Sequence, residues 1–135
     1  MGYRIEDIEG IGPAFAEKLA GVGVRNTDAF LQHCCDKKGR KKVSAQADIS
    51  EKHLLKWANL ADLMRISGIG PQFSELLEAA GVDTVKELRN RNAENLAAKM
   101  KEVQQEKRLT RTAPGVSTVS RWVAQAKTMD PVITH

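Results

Sequence analysis

A chain of 135 residues, 41% hydrophobic and 28% charged, is long enough to bury a core without a metal or a disulfide framework. Its net charge of +4 permits a nucleic-acid partner without requiring one, because many soluble proteins are mildly basic. No apolar run approaches the ~20 residues of a membrane span, and the only cysteines, Cys34 and Cys35, are adjacent, which excludes a disulfide framework and points to a reducing cytoplasm.

Taken in order, residues 4 to 8 read as a short helix or turn. Glu6 and Asp7 stand where a signal peptide would carry its apolar region, and Glu6 fills the place where N-myristoylation needs Ser or Thr. Gly10-Ile11-Gly12-Pro13 follows. Glycine at both ends of a three-residue hairpin permits positive φ and close backbone approach, and Pro13 suits the first turn of a helix. That helix spans about residues 13 to 20, with Phe15 and Leu19 on one face beside Ala16. Gly21 and Gly23 can end it in a left-handed cap. Asn26 or Thr27 caps a helix to about Cys34 that buries Phe30. Asp36-Lys37-Lys38-Gly39-Arg40-Lys41-Lys42 is the densest basic run in the chain.

Ile49-Ser50 pairs a hydrophobic staple with an N-cap. The helix after it, residues 51 to about 65, places Leu54, Leu55, Ala58, Ala61 and Leu63-Met64 at near-helical spacing. Its last turns lead into Gly68-Ile69-Gly70-Pro71, a copy of the first hairpin at an offset of 58 residues. The copy extends through Phe15 and Phe73, Leu19 and Leu77, Gly23 and Gly81, and Val24 and Val82, so one physical unit is used twice. The second hairpin helix runs from Pro71 to about Ala80. Thr84 and Glu87 have capping-box spacing for the next, and Asn92 or Asn95 starts another that ends near Lys107. Arg108 to Pro114 is a basic connector. Ser117 can cap a last helix with Val119, Trp122, Val123 and Ala126 on one face, and residues 129–135 read as a loosely packed tail.

The chemistry of the repeated stretch follows from its backbone. Free N–H groups in the first turn of each helix point out of the hairpin, and with the helix dipole they form an anion site that needs no basic side chain. Phosphate is the natural anion. Gly-Ile-Gly-Pro, an apolar helix, Gly-Val and a Thr-capped helix together resemble the helix-hairpin-helix motif, in a form similar to that of DNA polymerase beta. The whole chain, including Lys38-Gly39-Arg40-Lys41 and the segment from Pro114 to Lys127, resembles a bacterial family of tandem helix-hairpin-helix proteins classed as a domain of unknown function. The resemblance implies that the basic run starts a further helix, reaching about Gln46. It also implies backbone-amide contact to phosphates with little sequence preference, and in some members a potassium or sodium ion held by hairpin carbonyls.

Charge favours the first hairpin. Residues 1 to 58 carry ten Lys/Arg against eight Asp/Glu, whereas residues 59 to 99 carry five against six. The second hairpin helix has Glu75 and Glu78 and is followed by Asp83, with no cation of its own. The lysine run can track a phosphate backbone near the first hairpin, although a solvated helix start is the commoner fate of such a run. Trp57, Trp122 and the phenylalanines sit at apolar positions and read as core, leaving Tyr3 as the exposed ring. His33, Cys34, Cys35 and His53 lack the spacing of a zinc site, and His33 is misplaced as a base for either thiol. In glycosylases that the motif resembles, a catalytic Lys follows the second hairpin glycine by two residues; here those positions are Ala14 and Gln72. With no carboxylate metal pair either, the chain is not expected to be an enzyme.

The expectation is therefore all-α: two similar multi-helix units, residues 1–58 and 59–128, each holding one hairpin, packed into one body. Its function is non-sequence-specific nucleic-acid binding, with duplex DNA favoured, in the cytoplasm, without membrane or small-molecule substrate. Contacts fall to Gly10, Ile11, Gly12 and Ala14, to Lys18, Lys37, Lys38, Arg40 and Lys41, and more weakly to Gly68, Ile69, Gly70 and Gln72. No cofactor is expected beyond a monovalent cation in a hairpin. The alternative is an adaptor or structural subunit with a protein partner, in which the hairpins are rigid helix connectors.

Overall fold

Helix-favouring residues and local caps set the architecture. The computed structural model describes residues 2–135. Among these, a 3-10 turn at Ile5–Asp7 is followed by eight helices: α1 (Pro13–Ala20), α2 (Thr27–Cys34), α3 (Lys37–Ala47), α4 (Glu51–Leu63), α5 (Pro71–Ala79), α6 (Val85–Leu88), α7 (Ala93–Lys107) and α8 (Val116–Lys127). Among the described residues there is no strand, only an isolated bridge between Arg4 and Asn26. Among them, too, no helix is long and apolar enough to cross a membrane.

Side-chain oxygens start most of these helices. Asn26 accepts from the Ala29 N–H at 2.8 Å, Asp36 from Gly39 at 2.7 Å, and Ser50 from His53 at 3.2 Å. Thr84 accepts from Glu87 at 3.3 Å and Asn92 from Asn95 at 3.0 Å. Each such cap is worth about 1 kcal/mol. Ser117 does not cap α8: the helix begins one residue earlier on Gly115, which offers no side chain.

The chain divides into two compact units, residues 1–62 with 132–135, and residues 63–131. The boundary falls at the end of α4, a few residues beyond the expected one. Each unit has the same order of parts: a hairpin helix, a short capped helix, a longer helix, and a helix that carries a buried tryptophan. In the first unit Ile5, Ile8, Ile11, Leu19, Phe30, Leu54 and Trp57 are buried. In the second, Leu63, Ile66, Ile69, Leu76, Leu77, Val85, Met100, Val119 and Trp122 form one cluster. Burial of each large aliphatic or aromatic side chain is worth about 1.5–3 kcal/mol.

The C-terminal segment differs from the sequence expectation. Residues 132–135 are docked at one point rather than loose throughout: Ile133 is buried, and the Thr134 N–H donates to the Cys35 carbonyl at 2.8 Å, while Val132, Thr134 and His135 stay exposed. A single apolar side chain flanked by polar ones carries no periodicity, so nothing in the pattern of the sequence marks this docking.

Candidate nucleic-acid interface

The two hairpins are built alike, bond for bond. In the first, the Ile8 N–H donates to Ile5 at 3.2 Å, Ile11 to Ile8 at 3.1 Å, and Ala16 to Gly12 at 3.0 Å. In the second, Ile66 donates to Leu63 at 3.1 Å, Ile69 to Ile66 at 3.1 Å, and Ser74 to Gly70 at 2.9 Å. Gly10 and Gly68 have φ of 95° and 92°, which favours glycine. A Cβ on either would lie 3.1 Å from an indole Nε1, of Trp57 and Trp122 respectively. Phe15 and Phe73 pack on the same two indoles, with ring centroids 5.0 and 5.4 Å apart.

The second glycine of each hairpin behaves differently. Positive φ at both ends is not what forms: Gly12 has φ −86° and ψ −174°, and Gly70 φ −95° and ψ −168°. These are extended values that any residue adopts. A Cβ on Gly12 would meet nothing within 4 Å. The fold therefore does not require glycine there, whereas it does at Gly10. Neither α1 nor α5 receives a side-chain cap, and Pro stands at the first position of both. The Ala14 and Phe15 amides of α1 therefore receive no side-chain cap, with Gly10, Gly12, Pro13 and Ala14 exposed, Phe15 half-buried and Ile11 pinned in the core. In the second hairpin Ile69 is likewise buried, Gly68 and Gln72 are exposed, and Gly70 is half-buried.

The cations distribute less simply. Lys18 reaches back over the Phe15 ring, its Nζ 5.8 Å from the centroid, but the same ammonium meets Asp48: 3.9 Å to the carboxylate and 3.2 Å to the carbonyl. Lys37, Lys38 and Lys41 are exposed, as is Lys42. They occupy the first half of α3, whose far end carries Asp48. The ten residues from Lys38 to Asp48 span about 15 Å along the axis, so the lysine run lies a helix length from the Lys18 contact. Arg40 does not belong with these exposed bases. It is 3% exposed, and its guanidinium donates to the Cys34 carbonyl at 3.0 Å and the Thr134 carbonyl at 2.6 Å. In the second unit, Gln72 lines one groove with Arg108 and Arg111. The connector thus supplies the cations that the hairpin helix lacks.

The Lys18–Asp48 contact gives a direct test. Asp48 has φ 55°, which asparagine tolerates, and its side chain is fully solvated. Asp48→Asn should leave stability unchanged and tighten nucleic-acid binding about twofold at low salt, an effect that fades at high salt. Titrations at two ionic strengths check this.

One side chain of this region was not legible as such in the sequence. His53 is exposed on α4 and stacks on Trp57, with centroids 5.4 Å apart and planes 10° from parallel. Its relation to Trp57, four residues on, is the ordinary i,i+4 helical neighbour, and that spacing is the signal that could have located it. Cys34 is buried, and that burial pushes its thiol from 9.0 up to about 12, away from the thiolate that a nucleophile needs. The stability associated with keeping that thiol protonated is full below pH 9.0 and is lost as pH rises toward 12. Among the described residues no three His, Cys, Asp or Glu side chains converge to hold a metal.

A family model described as a domain of unknown function (DUF4332) matches residues 9–129. Neither the curated proteins nor the solved structures gave a match to the chain.

Proposed function

The chain belongs to the DUF4332 family, a domain of unknown function, so its task has to be read from its own residues; we propose that it binds nucleic acid without sequence preference, through helix-hairpin-helix backbone amides that contact phosphates. The observation that carries this reading is Gly12. Its backbone is extended, the space before it is open, and the helix it precedes is left without a side-chain cap; Gly115 leaves α8 uncapped in the same way, but only Gly12 and Gly70 stand in a Gly-Ile-Gly-Pro hairpin. A residue that the fold leaves free to be larger, standing before unsatisfied amides, suits the close approach of an anionic backbone. Lys18 adds Coulombic attraction beside the first hairpin, and Arg108 and Arg111 add it beside Gln72. The nucleic acid favoured is duplex DNA, the setting cytoplasmic, and no catalytic step is assigned to any residue.

The competing reading is an adaptor with a protein partner. It is favoured by Val116, 47% exposed at the start of α8, in a groove with Ala97, Ala98 and Pro114. Salt dependence separates the two. If the two hairpins neutralise four phosphates in all, log affinity should fall against log salt with a slope of about −3.6 on duplex DNA. Fluorescence anisotropy of labelled duplex across a salt series measures that slope. Absence of binding at low salt by folded protein would exclude the proposal and leave the adaptor.

A further inference from the structure

We propose that the first hairpin, unlike the second, takes nucleic acid with an unpaired base next to the bound phosphate, and that His53 stacks on that base. The inference rests on the phosphate-binding reading above and adds a substrate preference to it.

Four observations join the ring to the hairpin. His53 lies flat on Trp57, which is itself 2% exposed and cannot move freely. The same indole closes on Gly10, its Nε1 3.1 Å from where a Cβ would stand. Phe15, whose amide is one of the uncapped pair, has its ring centroid 5.7 Å from that of His53. Ser50 holds the imidazole from the other end, with its Oγ 3.0 Å from Nδ1. The result is an exposed ring held in orientation by Trp57, Ser50 and Phe15, the last of which supplies one of the uncapped amides.

A ring so placed has no partner along the interior of a duplex, where both faces of each base are covered by neighbours. An unstacked base at a strand end, overhang or gap offers a free face, and imidazole is among the rings that take it. The second unit supplies an internal contrast. Its hairpin has the same Phe73–Trp122 pair, but the residue four before Trp122 is Thr118, which has no ring. The unpaired base is therefore taken on one side of the repeat and plain backbone on the other.

The test uses three labelled probes of equal length with the full chain: blunt duplex, duplex with a single-stranded overhang, and single strand. Wild type should prefer the overhang over the blunt duplex by about tenfold, the scale of one base–aromatic stack. His53→Ala should remove that preference while leaving blunt-duplex affinity unchanged, with the fold confirmed by circular dichroism. His53→Phe should restore it, since stacking and not the imidazole nitrogens carries the effect. Equal affinity of wild type for blunt and overhung duplex overturns the inference and leaves phosphate binding standing. Loss of blunt-duplex affinity in His53→Ala equal to the loss on the overhang also overturns it, because the ring would then serve the hairpin and not a base. No binding to any probe removes this inference and the phosphate reading together.

Discussion

Replacing Gly12 with valine should lower nucleic-acid affinity tenfold or more without unfolding the protein. The backbone at Gly12 is extended, with φ −86° and ψ −174°, a region where valine is at ease. A Cβ there meets no atom within 4 Å, so the larger side chain displaces nothing in the folded chain. What changes is the approach to the Ala14 and Phe15 amides, which the two methyl groups would screen. Charge-assisted hydrogen bonds contribute about 1.5–3 kcal/mol each, so losing even one costs about tenfold or more in Kd. The contrast is Gly10→Val. There φ is 95° and the indole of Trp57 stands 3.1 Å from the new Cβ, so strain of about 1–3 kcal/mol is added to displacement of a core ring, and stability falls. Thermal melts and duplex titrations of the two variants separate the roles. Wild-type affinity in folded Gly12→Val would exclude contact by the first hairpin.

The same pair of glycines shows how far the sequence could be read. The duplicated Gly-x-Gly-Pro placed both hairpins, the start of α1 and the start of α5, because proline at the first helical position and glycine before it act locally. Ser50 and Thr84 located two helix starts for the same reason, and the pairs Asn26 or Thr27 and Asn92 or Asn95 bracketed two more: a cap is decided within three residues. Which hairpin glycine needs a positive φ was not legible, because that depends on Trp57 and Trp122, tens of residues away. Nor was the fate of Arg40. It stands among exposed lysines, and its burial follows from the Cys34 and Thr134 carbonyls, one of them near the far end of the chain. Arg108 and Arg111 read as part of a basic connector, with no sign of which hairpin they would meet until the fold set them in one groove with Gln72. Local chemistry was recoverable; the side chains that meet it from distant segments were not.

Arg40→Met is the variant in which those distant contacts have the largest consequence. Cys34 is the last residue of α2, so its carbonyl has no partner inside the helix. Arg40 supplies one, at 3.0 Å, with a cation well placed at a helix C-terminus. The same guanidinium reaches the Thr134 carbonyl at 2.6 Å and thereby fixes the segment that buries Ile133. Methionine keeps much of the stem's packing and removes every donor. Two carbonyls then lose their charged partner, that of Cys34 in a buried site, at a cost of about 2–4 kcal/mol. For a chain of this size that is a fall in melting temperature on the order of 10 °C. The triple substitution of Lys37, Lys38 and Lys41 by alanine should do the reverse. All three are exposed, and Lys37 and Lys38 sit at a helix start where the dipole disfavours positive charge. Stability should hold or rise slightly. If the run touches the phosphate backbone, each phosphate no longer neutralised should make the salt slope shallower by about 0.9. An Arg40→Met variant that melts like wild type but binds nucleic acid less tightly would return Arg40 to the surface and overturn this division of labour.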